Sequence, residues 1–366
     1  MSHSLVFFFL LALPLGVSAD SQPWITGYFM DTSMSLDDIP WSKLTHVNHW
    51  ALNPVTAAGD LDGISGDSAD AFTAAAHNAG VKALVSVRDN NSSITLFSTA
   101  LKNNLYGMVT NIANFVNAHN YDGVDLNWEA GDYNSQPDQN NYINLIMGLR
   151  SQLGPAKTIT ISVYWQRGLA TVVQRTFDNL DQINVMCYDM DQFNNDLYFN
   201  SATYGAFGDL KHNNCAMQTG NFAGYVPAAK IGVGIPFYGR IWSGCADSQC
   251  SDGLHDPGQA WSGTPVQRSM HYNALINSPY WNSSHSWDTT HQSSYISINQ
   301  PGAANDRFIS YTDEQQINAL VQLMLNHSYG GIMEYELEYD FLPTQSGDAR
   351  HPLATAVYSA IYSSQQ

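Results

Sequence analysis

The sequence predicts an α/β fold built as a single (β/α)8 TIM barrel, and two observations carry that prediction. Short apolar runs rich in β-branched residues alternate with longer segments of helical length, a pattern typical of parallel strands joined by crossover helices. Eight such runs are found, and eight parallel strands close a barrel. The predicted strands are Ile25–Phe29, His46–Ala51, Ala83–Val87, Gly123–Trp128, Thr158–Tyr164, Ile183–Tyr188, Ile231–Pro236 and Gly331–Tyr335.

The segments between these runs supply the helices. Those with helical length and spacing are Ser68–Asn78, Asn104–His119, Asn140–Gln152 and Glu314–His327, with Pro352–Ser363 as a closing helix. An open doubly wound sheet is the alternative, but no G-x-G-x-x-G phosphate loop follows the first strand. The alternation is lost between Trp242 and Arg307, so we expect an irregular insertion after the seventh strand. Its aromatic residues either form a cleft wall on the catalytic face or pack locally as a surface loop.

Composition narrows the classes of function. The chain has 366 residues with 44% apolar and 12% aromatic residues, which is ample for a core. A formal charge of −18 disfavours nucleic acid and anionic lipid as partners, whereas a neutral carbohydrate is not repelled. Neither a linker nor an internal repeat divides the chain, so residues 20–366 are interpreted as one domain, and we expect a monomer.

The first nineteen residues are interpreted as a signal peptide. An apolar run over residues 4–17 is short for a bilayer span and leads to a small-residue cleavage pattern ending at Ala19. The mature chain is therefore expected to be secreted, extracellular and free of the membrane. Sequons at Asn90, Asn91, Asn282 and Asn326 agree with a secreted glycoprotein.

Secretion makes the four cysteines candidates for disulfide bonds. Cys245 and Cys250 lie five apart and could close a small ring, which would stabilise the fold by about 2 kcal/mol. Cys187 lies in an apolar strand, where it is either a buried thiol or a partner of Cys215.

The most informative segment runs from Tyr121 to Glu129. Read with period two, it places Asp125, Asn127 and Glu129 on one face of a strand and Val124, Leu126 and Trp128 on the other. Two carboxylates and an amide on a buried face are costly, and such a face usually lines a site where carboxylates do chemistry. The alternative is that Asp125 and Glu129 cap the next helix or pair with a surface base.

This segment resembles the D-x-x-D-x-D-x-E signature of glycoside hydrolase family 18, the chitinases and their relatives. Asn127 stands where the family has its third Asp. Five further blocks resemble the family in barrel order. They are Trp24–Tyr28, Leu44–Asn48, Ile183–Asp189 (I-N-V-M-x-Y-D), Ile231–Arg240 (G-x-P-F-Y-G-R) and Gly330–Met333 (G-G-x-M).

The resemblance implies substrate-assisted, retaining hydrolysis of β-1,4-linked N-acetylglucosamine polymers, with no cofactor and no metal. Glu129 would protonate the glycosidic oxygen, and the acetamido carbonyl of the sugar would act as the nucleophile in place of a second carboxylate. Tyr188 would donate to the acetamide oxygen, while Asp125 and Asn127 would complete the catalytic group. The implied substrate-binding residues are Tyr28, Met186, Asp189, Tyr238, Arg240 and Tyr335, Met186 serving as core or pocket floor.

Several positions depart from the family pattern. Asn127 keeps an accepting oxygen and has an amide that could donate to Asp125, but it carries no negative charge. The third strand ends in Arg88 and Asp89 where the family has two glycines, and Tyr335 replaces a Trp. A chitinase-type hydrolase is therefore the leading interpretation. The alternatives are an endo-β-N-acetylglucosaminidase acting on N-glycan cores and a weakly active chitin-binding lectin.

Overall fold

A computed structural model describes residues 22–89, 94–129, 131–192, 196–205, 213–245, 254–261, 265–300 and 305–362. Its strands in chain order are β1 Trp24–Phe29, β2 His46–Pro54, β3 Leu61–Asp62, β4 Lys82–Arg88, β5 Gly123–Asn127, β6 Thr158–Val163, β7 Gln182–Val185, β8 Ile231–Pro236, β9 Tyr238–Cys245, β10 Pro265–His271, β11 His285–Asp288, β12 Ser293–Ile298, β13 Arg307–Tyr311 and β14 Gly331–Tyr335. The α-helices are α1 Gly66–Asn78, α2 Ile94–Ala118, α3 Gln136–Leu153, α4 Arg167–Thr176, α5 Cys215–Ala223, α6 Tyr272–Ile276, α7 Glu314–Asn326, α8 Leu337–Asp340 and α9 Pro352–Tyr362.

Eight parallel strands of the described residues close into a barrel, which confirms the predicted fold class. Around the barrel the order is β1, β2, β4, β5, β6, β7, β8 and β14, and β1 pairs with both β2 and β14. β3 only extends the far end of β2 as an antiparallel pair. Because all eight strands run the same way, their carboxyl ends meet at one face, where barrel enzymes place their active sites.

Strand alternation divides the core into two layers. In β5, Val124 and Leu126 point outward into the large core between barrel and helices, and Asp125 lies inside the barrel. Trp128, just after β5, stacks on Phe97 at 5.0 Å between ring centroids and packs edge-on against Tyr142. This apolar anchoring holds the strand end in place, so that the next residue, Glu129, is presented from a fixed position.

The structure contains four α-helices that the apolar pattern did not predict, namely α4, α5, α6 and α8. α6 and α8 are only five and four residues long, and α5 buries the polar Gln218 beside Phe222, so the repeat of large apolar residues that marks a helix is weak in all three. α4, which follows β6, does carry that repeat, at Leu169, Val172 and Val173, and was missed.

The interval after the seventh strand is more regular than expected. A five-stranded antiparallel sheet, in the order β10-β9-β13-β12-β11, occupies the described part of it. The expectation of an irregular insertion was therefore wrong for these residues, although its place after the seventh barrel strand is as predicted. Strand β10 has residues of mixed exposure instead of a clean alternation, and such a strand gives little periodic signal.

A disulfide joins Cys187, just after β7, to Cys215, the first residue of α5. The bond decides between the two interpretations of Cys187 in favour of the bridge. In the other candidate pair, Cys250 and the side chain of Cys245 lie outside the described residues. Asn90, Asn91 and the nineteen residues of the predicted signal peptide also lie outside them. In the part of the chain that is described, no helix is long and apolar enough to cross a membrane.

Candidate active site

The carboxyl end of β5 places the acidic motif inside the barrel. Asp125 pairs in register with Ser86 of β4 on one side and Thr160 of β6 on the other. The parallel pairing therefore aims three polar side chains of neighbouring strands at the same interior point. Asn127 pairs with Arg88 one layer nearer to the open face.

Asp125 is fully buried and is held by hydroxyl groups. Thr160 donates to one carboxylate oxygen at 2.6 Å, and Tyr28 and Ser86 donate to the other at 2.7 and 2.9 Å. Burial raises the pKa of Asp125 above its ordinary value, and the three hydrogen bonds oppose that shift. Ser86 thus contacts the acid network as expected. Tyr28, predicted to bind substrate, lies beneath the cleft as a donor to Asp125.

Asn127 is nearly buried, and its amide is turned toward the acid of the motif. Hydrogen bonding from its side chain lowers the pKa of Glu129. The donors to Asp125 in the described structure are Thr160, Tyr28 and Ser86, and Asn127 is not among them. Oδ1 of Asn127 is buried and has no hydrogen-bond partner among the described residues, so an acceptor lies beside Glu129 with its capacity unused.

Glu129 follows Trp128 and keeps solvent-accessible surface toward the cleft. Its pKa is raised to about 7, first because surrounding protein displaces water from the carboxyl group and next because Asp89 carries a like charge. Asp189 adds a further increase, whereas Arg88 and the hydrogen bond from Asn127 lower the pKa. The backbone carbonyl of Glu129 accepts a hydrogen bond from the Tyr164 hydroxyl at 3.2 Å. A glutamate with this pKa can hold a proton near neutral pH, as a general acid must.

An aromatic cluster forms the wall opposite the acid. Tyr188 stacks on Tyr335 at 6.0 Å between ring centroids, and Tyr335 packs edge-on against Trp50 at 5.7 Å. Met186 and Met333 are buried in the same cluster, as expected for a pocket floor. Trp50 was missed by the motif comparison. Its place in the apolar run that forms β2 was the available signal, and apolar residues in such runs are usually core.

The Tyr188 hydroxyl has a weak partner within the protein. Its contact among the described residues is Sδ of Met333, at 4.0 Å. Burial, and next the neighbouring Tyr335, raises the pKa of Tyr188 well above its ordinary value, so the hydroxyl stays protonated. A protonated hydroxyl with a weak protein partner is available to donate to a bound molecule.

Asp189 begins a second polar group at the end of β7. Tyr238 donates to its carboxylate at 2.7 Å, and Arg240 donates to the same oxygen. Arg240 also faces Asp191 at 3.7 Å, and Gln267 of β10 donates to Asp191. Asp189, Tyr238 and Arg240 thus meet as predicted. Asp191 was missed, because it lies beyond the matched block and reaches the group only through the fold.

β4 ends at Arg88 and is followed by Asp89, and these two charged residues lie beside the cleft. The guanidinium of Arg88 lies 4.8 Å above the Trp50 ring, and its Nε donates to the Asp89 carbonyl at 2.6 Å. Asp89 is 8% exposed. Because both influence the pKa of Glu129, these residues add an opposed pair of charges to the site where the family pattern has none.

These groups enclose a cavity of about 610 Å³ at the open end of the barrel. Its lining residues come from the ends of β5 to β8 and β14 and from the start of α5. They are Asn127, Glu129, Tyr164, Trp165, Gln166, Met186, Tyr188, Asp189, Met190, Asn213, Gln218, Tyr238 and Tyr335. Three predicted site residues do not line this cavity but contact it through others, namely Asp125, Tyr28 and Arg240.

A larger cavity, of about 740 Å³, lies between α6, α7 and α9. It contains none of the motif residues. Tyr272 and Trp281 of the inserted segment line it, whereas none of the aromatic residues of that segment lines the cavity at Glu129 in the described part of the chain. The raised pKa of Glu129 and the hydroxyl of Tyr188 mark the smaller cavity as the chemical site.

Comparison with known families decides the classification. The sequence matches the family described as Glycosyl hydrolases family 18 over residues 24–340. The chain belongs to this family. Family 18 therefore accounts for both the barrel and the motif that ends β5.

Similar proteins include chitinases and a chitinase-like agglutinin. Chitinase A1 of Niallia circulans is 28% identical over 271 residues, which cover 66% of this chain and 38% of that protein. The chain thus matches well under half of the length of that curated relative. A double-mutant GH18 chitinase of Cycas revoluta in complex with (GlcNAc)4 superposes with a TM-score of 0.74 and 18% identity, covering 92% of this chain and 99% of the other. A chitinase-like agglutinin of Robinia pseudoacacia gives 0.75 and 20%, covering 91% and 99%. At such identities the two structures show the fold alone.

Proposed function

We propose that this chain is a secreted chitinase-type hydrolase that cleaves β-1,4-linked N-acetylglucosamine polymers with retention of configuration. The observation that carries the proposal is the raised pKa of Glu129 in a cavity that also presents the Tyr188 hydroxyl. The chitinases among the relatives, and the chitin oligosaccharide bound by the Cycas revoluta protein, support the choice of substrate.

In the proposed reaction Glu129 gives its proton to the glycosidic oxygen as the bond from that oxygen to the anomeric carbon breaks. The acetamido carbonyl oxygen of the same sugar attacks the anomeric carbon and forms an oxazolinium ion. Tyr188 donates to that carbonyl, and Oδ1 of Asn127 accepts from the acetamide N–H. The Glu129 carboxylate then takes a proton from a water molecule as the water oxygen bonds to the anomeric carbon. The bond from that carbon to the acetamido oxygen breaks, which restores the acetamide and the protonated acid.

The distribution of carboxylates supports a nucleophile supplied by the substrate. Among the described lining residues, the carboxylates are Glu129 and Asp189. Asp189 is held by Tyr238 and Arg240, and Asp125 is buried under three hydrogen bonds. Neither is free to attack an anomeric carbon, and the acetamido group removes the need for such an attack.

A chitin-binding lectin is the second candidate, and Asn127 is the observation that favours it. Without a carboxylate at this position the site has no negative charge beside the acetamide nitrogen, which weakens stabilisation of the oxazolinium ion. The likeness to a chitinase-like agglutinin fits this alternative equally well. An endo-β-N-acetylglucosaminidase acting on N-glycan cores would use the same residues in a differently shaped cleft.

Three assays on one protein preparation separate these functions. Turnover of a fluorogenic chitobioside identifies a chitinase, release of glycans from a high-mannose glycoprotein identifies the endo-glycosidase, and chitin binding without either identifies a lectin. Glu129→Gln is expected to lower turnover about 10³-fold or more while leaving oligosaccharide binding intact. The matched control is Glu314→Gln, an exposed glutamate outside the cleft. Near-normal rates in Glu129→Gln would refute the assignment of the acid.

A further inference from the structure

The acid of the motif lies just beyond the paired part of its strand. β5 pairs with β4 and β6 no further than Asn127. The two peptide groups that flank the Cα of Glu129 are therefore past the last paired positions, and their carbonyl oxygens need partners from elsewhere. Both partners are tyrosine hydroxyls. Tyr133 donates to the carbonyl of Trp128, and Tyr164 donates to the carbonyl of Glu129 at 3.2 Å.

Close packing holds Tyr133 against the end of the strand. It is fully buried, and its ring packs edge-on against the Trp128 ring at 5.5 Å between centroids. A Cβ at Gly131 would lie 2.8 Å from Cζ of Tyr133, and a Cβ at Gly168 of α4 would lie 1.7 Å from its carbonyl oxygen. The two glycines therefore allow the chain to fold back onto Trp128 and allow α4 to pack against this turn. Tyr133 is not among the residues that line the cavity, so a bound molecule does not touch it.

Tyr164 reaches the acid from the neighbouring strand. It directly follows β6, is half-buried and lines the cavity together with Glu129. Burial is the main reason that the pKa of Tyr164 and the pKa of Tyr133 are both raised above their ordinary values. Each hydroxyl therefore keeps its proton and remains a donor over the pH range in which Glu129 titrates.

We propose that Tyr133 and Tyr164 are positioning residues that together fix the backbone at Glu129 and so aim its carboxyl group into the cavity. This inference rests on the proposed function of Glu129 as the general acid. The two soft backbone dihedrals of a residue rotate its flanking peptide planes about the Cα, and here each plane is held by a hydroxyl. A general acid must stay within hydrogen-bond reach of the atom that it protonates, so a small displacement lowers the rate.

The variants Tyr133→Phe and Tyr164→Phe each remove one hydroxyl and keep the ring. Carbon-13 NMR of the labelled carboxyl of Glu129, identified by its loss in Glu129→Gln, follows the titration directly. We expect the native carboxyl to titrate near pH 7, since its pKa is raised to about 7. Both variants should titrate about 1 pH unit lower, because a less restrained carboxyl group turns toward water and is desolvated less.

Tyr121→Phe is the matched control. Tyr121 is also fully buried, and its hydroxyl is hydrogen-bonded to Nδ1 of His49 at 2.7 Å. It precedes β5, at the opposite end of the strand from the acid. Its replacement should lower the urea midpoint, as the loss of a buried hydrogen bond does, and leave the titration of Glu129 unmoved.

Kinetics provide a second measurement. Because Tyr133 does not line the cavity, Tyr133→Phe should lower kcat on (GlcNAc)4 about 10-fold and leave KM unchanged. The same change made in the Glu129→Gln chain should lower the residual rate no further, because Tyr133 acts through the acid. An equal loss in both backgrounds would mean that Tyr133 serves only the fold.

The carboxyl titration needs no turnover, so this inference and the proposed function fail separately. If the native chain leaves chitin oligosaccharides intact while both variants shift the titration of Glu129, the proposed function fails and the positioning stands. If chitin is cut but both variants match the native chain in titration and kcat, or if Tyr121→Phe shifts the titration equally, the positioning is overturned. If Tyr133→Phe does not fold, Tyr164→Phe decides the outcome, because that residue is only half-buried.

Discussion

The side chain of Asn127 lines the same cavity as Glu129, two residues further along the chain, and hydrogen bonding from it lowers the pKa of that acid. Asp125, two residues before it, is held instead by Thr160, Tyr28 and Ser86. The motif thus divides into a buried carboxylate with a complete set of donors and an amide–acid pair that faces the cavity. This division has consequences for each member of the motif.

Replacing Asn127 by Asp should raise kcat. The new carboxylate would stand beside the positive charge of the oxazolinium ion, and we expect a gain of about 10-fold if chemistry limits turnover. Because Asp125 and Glu129 are close, the added group will titrate together with them, and the pH profile should gain an acidic limb. Single-turnover rates from pH 4 to pH 8 measure both effects, with Asn134→Asp in the loop after Glu129 as the control. A variant slower than the native chain at every pH would show that the amide is integrated with Arg88 and Asp89.

Removing the Tyr188 hydroxyl should affect the transition state more than binding. In the described structure this group contacts only the Met333 sulfur at 4.0 Å, so Tyr188→Phe breaks no strong hydrogen bond within the protein. We expect kcat to fall about 100-fold with little rise in KM, because the hydrogen bond strengthens as the acetamide moves onto the anomeric carbon. Steady-state kinetics on (GlcNAc)4 measure the two constants. An increase in KM alone would mean that Tyr188 serves only to pack the aromatic cluster.

The pH profile should report the charges around Glu129. The general acid must be protonated, so kcat/KM is expected to fall as pH rises through about 7. Asp89→Asn removes a like charge and should move this limb to lower pH, while Arg88→Gln removes an opposite charge and should move it to higher pH. Asp189 and the Asn127 hydrogen bond remain in both variants, and exposed Asp132→Asn is the control. If both variants lost activity equally while the pH of the kcat/KM decline stayed the same, the electrostatic role of Arg88 and Asp89 would be contradicted.

The sequence predicted the strands of the barrel well and the inserted antiparallel sheet poorly. Both outcomes have a physical reason. Each barrel strand is buried on both faces, so strands such as Thr158–Val163 form continuous apolar or β-branched runs that stand out from their surroundings. Strand β10 is partly exposed on both faces, and its pairing with β9 depends on contacts that a local pattern does not contain.

In the candidate site, too, residues that share a local pattern were predicted and residues brought together only by the fold were missed. Asp125, Asn127 and Glu129 follow one another on a single strand, so a short motif reveals them together. Trp50 and Gln218 come from distant parts of the chain and meet the cavity only because β2 and α5 are placed there by the fold. The direction of the Asn127 amide was likewise outside the reach of the motif, since it depends on hydroxyl donors from three other strands.

Breaking the Cys187–Cys215 bond should weaken the fold. The two residues are separated by 28 positions, and loop-closure entropy gives about 3–4 kcal/mol of stabilisation for a ring of this size. Cys215→Ser should lower the urea midpoint accordingly. An unchanged urea midpoint would show that the bond contributes little to the stability of the fold.

The last prediction concerns buried acids outside the reaction. Glu336 is 1% exposed, and its pKa is raised to about 9, first by burial and next by the like charge of Glu338. In the unfolded chain the carboxyl titrates near its ordinary value, so between about pH 4.5 and pH 9 the folded state binds the extra proton. Stability contributed by this group is therefore complete at low pH and is lost as pH rises through that window, by up to about 1.4 kcal/mol per pH unit. Glu336→Gln keeps the shape without the titration, so its urea midpoint should fall less than that of the native chain between pH 5 and pH 9. Exposed Glu314→Gln is the control and should follow the native chain, and parallel curves for Glu336→Gln and the native chain would refute a buried, protonated Glu336.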